Sequence, residues 1–190
     1  MTRGRRARIL GGDDDAPTVP ARKRLVELKA RYEDAATGLA ILGNGNRVGT
    51  LRQTDTYFAL GERRLKVREV AGRAEGQLVY YERPDDRDMK ESEVLLLDIA
   101  DPGTLKEMLA RILGIQAIVR KTRDIYRHEG VQVHLDVVDG LGRFIEFELA
   151  VEDGAKAIEE GRAKLAAMRK AFGIPDEDLV ASSYSDLLAD

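Results

Sequence analysis

The stretch Phe144-Ile145-Glu146-Phe147-Glu148-Leu149-Ala150-Val151 alternates charged and apolar residues with a period of two. Successive side chains on a strand point to opposite faces, so Glu146 and Glu148 share one face while Ile145, Phe147 and Leu149 share the other. The same arrangement recurs upstream. Leu25 to Arg31 carries Glu27 and Lys29 on one face and Val26 and Leu28 on the other, Leu65 to Glu69 carries Lys66 and Arg68 around Val67, and Val119 to Ile125 carries Lys121 and Arg123. Apart from Val119 to Ile125, whose other face carries Arg120, Thr122 and Asp124, each of these strands has one polar and one apolar face.

Two arrangements satisfy that pattern. An antiparallel sheet can leave its polar face in water, where mixed charges are common and have no further role. Alternatively, the sheet closes on itself with the charges inside and helices covering the apolar outside. Candidate covering helices are present: Ile158, Leu165, Met168 and Phe172 recur at helical spacing between Asp153 and Phe172, as do Leu105, Met108, Leu109, Ile112 and Leu113 between Pro102 and Leu113. Alternation by itself leaves both arrangements open.

At 190 residues the chain can form one sizeable domain with its own core. A formal charge of -3 gives no bulk basicity to recommend a nucleic-acid partner, and no apolar run is long enough to span a bilayer, so no membrane partner is expected. Cysteine is absent, which excludes disulfides and thiolate chemistry and fits a cytoplasmic protein. The first residues are basic (Arg3, Arg5, Arg6, Arg8) but lack the apolar stretch of an export signal.

Residues 1–22 read as a disordered tail, with a basic cluster followed by Asp13, Asp14 and Asp15 and then Pro17 and Pro20. Residues 23–190 read as the folded domain. Strands are expected from Arg24 to Arg31, Gly49 to Ala59, Arg64 to Val70, Gln77 to Arg83, Glu93 to Ile99, Ala117 to His128, Val131 to Val138 and across Phe144 to Val151. A helix is expected before Leu42, ended by Gly43, Asn44, Gly45 and Asn46, whose residue types accept left-handed backbone angles. About eight strands with intervening helices give an α+β fold that can close into an antiparallel barrel and so remove its edges.

The segments VELKAR (Val26 to Arg31), LRQTDTYF (Leu51 to Phe58), RLKVRE (Arg64 to Glu69), VRKTRDIY (Val119 to Tyr126), VHLDVVDGLGRFIEFE (Val133 to Glu148) and SYSDLL (Ser183 to Leu188) run in an order that resembles the CYTH superfamily, the triphosphate tunnel proteins that include class IV adenylate cyclases and thiamine triphosphatases. The resemblance spans roughly residues 24 to 188 and implies a closed eight-stranded tunnel with helices packed outside. It implies phosphate-binding roles for Lys29, Lys66, Arg68, Lys121 and Arg123, and less directly for Arg52, Arg83 and Arg120. Glu146 and Glu148 match the family's metal-binding pair, and Glu27 and Asp136 match further contributors. Glu27, Lys29, Glu146 and Glu148 are the implied catalytic set, Mg²⁺ or Mn²⁺ the implied cofactor, and a homodimer is compatible with the resemblance.

The residue types suit such a ligand. A triphosphate needs cations along its length, and Arg offers a planar fork that Lys lacks. Carboxylates repel the same ligand unless a hard cation stands between them. His134 shares a face with Asp136 and reads as a structural or ligand-adjacent histidine. One departure is visible: the family's opening motif is Glu, any residue, Glu, any residue, Lys, and Leu25 stands at its first position. The expected function is a metal-dependent enzyme acting on a nucleoside or inorganic triphosphate. Gln53, Asp55, Tyr57, Ser183, Tyr184, Asp186 and Leu187 resemble the cyclases more, which implies conversion of ATP to cyclic AMP and pyrophosphate. The alternatives are a tripolyphosphatase or thiamine triphosphatase-type hydrolase, and a module that binds a polyphosphate without turning it over, which Leu25 leaves open.

Overall fold

The alternating segments pair antiparallel and bring the ends of the sheet together. The computed structural model describes residues 20–43, 46–61, 63–82 and 89–189. Its elements are β1 (Ala21–Arg31), α1 (Ala35–Leu42), β2 (Arg47–Phe58), β3 (Arg64–Val70), β4 (Gly76–Glu82), β5 (Lys90–Ile99), α2 (Pro102–Leu113), β6 (Ile115–His128), β7 (Val131–Val138), β8 (Gly142–Ala150), α3 (Ala155–Ala171) and α4 (Tyr184–Ala189). Among the described residues, eight strands close in the order β1-β5-β4-β3-β2-β6-β7-β8, with β8 returning to β1 in the register Glu27↔Glu148 and Lys29↔Glu146. The fold is therefore an α+β barrel with helices outside, and the wet-sheet arrangement is excluded.

Strand ends differ modestly from expectation. β1 starts at Ala21 rather than Arg24, inside the segment expected to be a tail, because it pairs with β5 from Ala21↔Leu96 onward. Arg83 and residues 1–19 of the expected tail lie outside the described residues. The hairpin from β6 to β7 turns through Glu129 (φ 49) and Gly130 (φ 79), the two positive φ values that a two-residue turn matched to strand twist demands. Gly76 is required for a different reason. A Cβ there would lie 2.7 Å from Pro102 Cβ and 2.8 Å from the Arg68 carbonyl oxygen, so only glycine lets α2 start against β4.

The main apolar core lies outside the barrel. Val26, Leu28 and Ala30 of β1, Val131 and Val133 of β7, and Ile145 and Phe147 of β8 point outward and are covered by Leu165 and Met168 of α3 and by Phe172 just beyond it. Phe147 and Phe172 meet edge to face, with centroids 5.1 Å apart. The expected amphipathic stripe of α3 therefore does the covering. The stripe of α2 does so only in part: Leu105, Leu109 and Leu113 are half-buried, while Met108 and Ile112 are 54% and 71% exposed. Asp101 caps α2 by accepting from the Thr104 amide at 3.0 Å, with Pro102 in its first turn.

Because α3 holds the outward face of β1 and β8, Leu165→Ala is expected to destabilise the fold by about 2–5 kcal/mol in urea unfolding. A midpoint unchanged from the parent protein would show that α3 is not part of the cooperative core.

Candidate functional site

Inward-facing residues of all eight strands surround a cavity of about 550 Å³. One end is filled. Tyr57, Val119, Val138 and Phe144 occupy it together with Tyr184 of α4, whose ring meets Phe144 at 5.0 Å. The C-terminal segment is held there by polar contacts. Lys29 Nζ donates to the Ser182 carbonyl and lies 4.4 Å from the Tyr184 ring centroid, and Arg64 pairs with Asp186 at 3.0 Å. Lys23 of β1, Arg127 of β6 and Gln132 of β7 line the cavity near the other end of the barrel.

The lumen charges are organised around two buried aspartates. Asp55 on β2 is 1% exposed and accepts from Arg68 through both oxygens at 2.8 Å, and from Lys66 Nζ at 2.9 Å. Lys66 also donates to the Tyr57 hydroxyl at 3.1 Å. Asp136 on β7 is likewise 1% exposed; it accepts from Arg123 in the same forked manner, at 2.7 and 2.6 Å, and from the Tyr184 hydroxyl at 3.0 Å. Lys121 stands between the two nodes, 3.9 Å from Asp55 and 3.7 Å from Asp136.

Burial opposes ionisation of Asp55, and the Arg68 and Lys66 cations overcome it, holding the carboxyl well below its usual range. Burial opposes ionisation of Asp136 too, and Arg123 and Lys121 outweigh it, lowering that carboxyl. Lys121 is pushed down to about 8, first by burial and then by repulsion from Arg123, with Asp136 and Asp55 opposing the shift.

A third cluster lies on β7 and β8. His134 Nδ1 is buried, 3.6 Å from Glu146 Oε2 and 3.4 Å from Glu148 Oε1. Its Nε2 lies 2.8 Å from the side-chain amide of Gln132. The Gln132 amide nitrogen donates to Nε2, so Nδ1 carries the ring proton and faces both carboxylates. Nδ1 and one oxygen of each carboxylate fall within 4.8 Å of one another, and Arg123 also donates to Glu146. Such a His/Glu/Glu set could coordinate a divalent metal. Glu27 is opposite Glu148 on the neighbouring strand and is held by Ser92 Oγ at 2.6 Å.

Of the residues singled out from sequence, Glu27, Lys29, Lys66, Arg68, Lys121, Arg123, Glu146 and Glu148 all line this one cavity. Asp136 is also inside the barrel, where Arg123 and Tyr184 engage it; Arg123 donates to Glu146 as well, and the group that falls together with Glu146 and Glu148 is His134. Arg52 is exposed and lies out of phase with the inward Gln53 and Asp55, so it projects away from the lumen; Arg120 is likewise exposed and lines a shallow outer groove beside α2. Asp55 and Tyr184 were not assigned site roles from sequence. Asp55 was detectable by phase, since it alternates with Gln53 and Tyr57. Tyr184 was not, since its segment has no strand periodicity.

Asp55→Asn is expected to destabilise the protein by about 3–5 kcal/mol at neutral pH, because it leaves Lys66 and Arg68 buried without their shared counter-ion. The folded-state carboxyl is depressed, so its contribution is present above the unfolded value of about 3.9 and disappears as pH falls through the folded value. Urea midpoints measured against pH should therefore fall more steeply on acidification for the parent protein than for the variant. Equal midpoints at pH 7 would show that the cations do not depend on Asp55.

Comparison with known proteins agrees with this geometry. The CYTH domain profile matches residues 23–184. A protein of Methanocaldococcus jannaschii named "putative adenylate cyclase" is 28% identical over 139 residues, covering 70% of this chain and 75% of the relative. Among solved structures, the PH1012 protein of Pyrococcus horikoshii superposes with a TM-score of 0.75 at 27% identity, covering 86% of this chain and 98% of its own. A Hippeastrum protein described as a "putative adenylyl cyclase" with a dominant triphosphatase activity shares the fold, with a TM-score of 0.62 at 18% identity over 87% of this chain and 93% of that one. A closed antiparallel barrel with an ion-paired lumen, matched by the profile over most of its length, places this chain in the CYTH family, the triphosphate tunnel proteins.

Proposed function

We propose that the protein is a divalent-metal-dependent enzyme that acts on a triphosphate inside the barrel, with ATP cyclisation to cyclic AMP and pyrophosphate as the favoured reaction. The observation that carries this reading is the convergence of Lys66, Arg68, Lys121 and Arg123 on the cavity that also holds Glu146, Glu148 and His134. The name of the Methanocaldococcus relative supports the cyclase assignment. Hydrolysis of a terminal phosphate is the second reading, favoured by the partial exposure of the Glu146 and Glu148 side chains, 18% and 23%, through which water reaches the site.

In cyclisation the ribose 3′-oxygen forms a bond to the α-phosphorus, the bond from that phosphorus to its bridging oxygen breaks, and pyrophosphate departs. In hydrolysis a water oxygen attacks the terminal phosphorus instead. Both depend on positioning and charge compensation more than on covalent chemistry by the protein. The Arg68 and Arg123 guanidinium groups are fixed in plane by Asp55 and Asp136, so their orientation is set before a phosphate arrives. Lys66 and Lys121 add point charges between them. Glu27, oriented by Ser92, is the carboxylate assigned to take the proton from the attacking hydroxyl or water. Lys29 anchors the C-terminal segment that closes the lumen behind the substrate. His134, Glu146 and Glu148 would hold the metal, Mg²⁺ or Mn²⁺, with the imidazole tilting the set toward Mn²⁺. Bound there, the ion would neutralise phosphate charge as the transition state forms.

Purified protein incubated with ATP, inorganic tripolyphosphate or thiamine triphosphate, each with Mg²⁺ or Mn²⁺, tests the reading directly. Cyclic AMP with pyrophosphate supports cyclisation, orthophosphate supports hydrolysis, and tight binding without product leaves a binding module. Glu146→Gln and Glu148→Gln should each abolish metal-dependent turnover while sparing the fold; unchanged rates in both would reject the metal assignment.

Lys121 supplies a pH signature. Its charge is lost in the free protein as pH rises through about 8, and a bound phosphate favours the charged form. Triphosphate affinity is therefore expected to be flat below that pH and to fall by up to about tenfold per pH unit above it. Lys121→Met should weaken binding and flatten the profile; a slope that survives the substitution would assign the titration to another group.

A further inference from the structure

The charged lumen has an apolar side. Leu25 of β1, Val94 and Leu96 of β5, and Val79 and Tyr81 of β4 face the cavity from three adjacent strands and pack into one cluster. In the ring of strands β5 stands opposite β6, which carries Lys121 and Arg123. The two sides meet at Lys66. It is the register partner of Val79, and its ammonium, held on Asp55, lies 5.8 Å from the Tyr81 ring centroid. A phosphate held by Lys66 and Arg68 would therefore have the apolar cluster immediately beside it.

That surface is costly for a cavity meant only for inorganic ions. Apolar area facing a water-filled lumen forfeits about 25 cal/mol per Å², whereas neighbouring inward positions of the same strands carry Lys23, Glu27 and Lys90 without disturbing the fold. Leu25 extends the cluster to β1, at the position where the opening acidic motif of the family carries a carboxylate. Of the polar groups beside the cluster, Ser92 donates to Glu27 and Gln77 donates to Asp98 at 2.9 Å, while Lys23, the register partner of Val94, is an exposed cation at the cavity's end. The wall can thus hold a ligand by surface contact and by the face of Tyr81, but not by reading a pattern of hydrogen-bonding edges.

Resting on the triphosphate reading above, we infer that the Leu25, Val79, Tyr81, Val94 and Leu96 wall is the subsite for the organic portion of the substrate, and that the preferred ligand is a triphosphate ester of an apolar or flat aromatic group rather than inorganic tripolyphosphate. The polar side grips the phosphates and the apolar side ranks the esters.

Calorimetric titration of the full chain with inorganic tripolyphosphate, methyl triphosphate and phenyl triphosphate tests this. Phenyl triphosphate is expected to bind about tenfold or more tightly than inorganic tripolyphosphate, with the methyl ester between them. Leu96→Asn should shrink that ratio toward one. Val94→Thr, which keeps the shape and β-branching while adding a hydroxyl, should shrink it as well and covers the case in which the first variant does not fold. Equal dissociation constants for the three ligands in the parent protein would overturn the subsite while leaving triphosphate binding intact. A preference that survives in both folded variants would overturn it too. Binding of none of the three would overturn the triphosphate reading itself, and the subsite with it.

Discussion

Enclosing cations inside a barrel is possible here only because Asp55 and Asp136 are enclosed with them. A buried guanidinium or ammonium without a counter-ion costs several kcal/mol; removing Asp55 would expose Lys66 and Arg68 to that cost, whereas Arg123 shares its charge between Asp136 and Glu146. Each aspartate is shared, Asp55 by Lys66 and Arg68 and Asp136 by Arg123 and the Tyr184 hydroxyl, so each fixes more than one side chain. Lys121 sits between the nodes at distances too long for a strong pair with either. Its pKa is depressed first by burial and then by the Arg123 charge, which the two aspartates do not fully offset. An arriving polyanion completes the balance, which ties stability of the empty lumen to affinity for its ligand.

The same enclosure dictates where the hydrophobic core goes. A barrel of this size commonly fills its interior with side chains, but an interior given to ligand has to be stabilised from outside. The outward faces of β1, β7 and β8 supply that core with α3, while α4 and the aromatic residues near it close one end of the lumen. The stabilising surface and the reactive surface are opposite faces of the same strands. A substitution at Phe147 therefore acts on packing, whereas one at Glu146 or Glu148 acts on the site, although the three are consecutive or nearly so in sequence.

Much of this was legible because a strand assigns faces by parity. Lys66 with Arg68, Lys121 with Arg123, and Glu146 with Glu148 were correctly placed on common faces by counting alone. Closure was not legible, since a wet sheet produces identical alternation; the ordered segments that resemble the CYTH family favoured it, and the pairing of β8 with β1 establishes it. Parity also exposes where reliance on resemblance alone went astray: Arg52 is out of phase with Gln53 and Asp55, and Arg120 with Lys121, and both project outward. Tyr184 had no such signal. It reaches the lumen from a short helix at the end of the chain, and only tertiary docking brings its hydroxyl to Asp136.

Leu25 shows how a single inward position can be read in two ways. Counted as a missing carboxylate, it suggests a weakened metal shell. Its surroundings favour a different account. Leu25 is the register partner of Ser92 on β5, on the side of β1 facing the Val79, Tyr81 and Val94 cluster, whereas the His134, Glu146 and Glu148 donors lie on β7 and β8. Glu27, one inward step further along β1 and opposite Glu148, marks the boundary between the two. A carboxylate at position 25, opposite Ser92 and Ala150, would lie one inward step from Glu27 and Glu148 and beside the apolar cluster, where like charge and desolvation would both raise its pKa and favour its neutral form. Leucine at this position removes that conflict and moves the edge of the apolar wall up to the first acidic residue of the site.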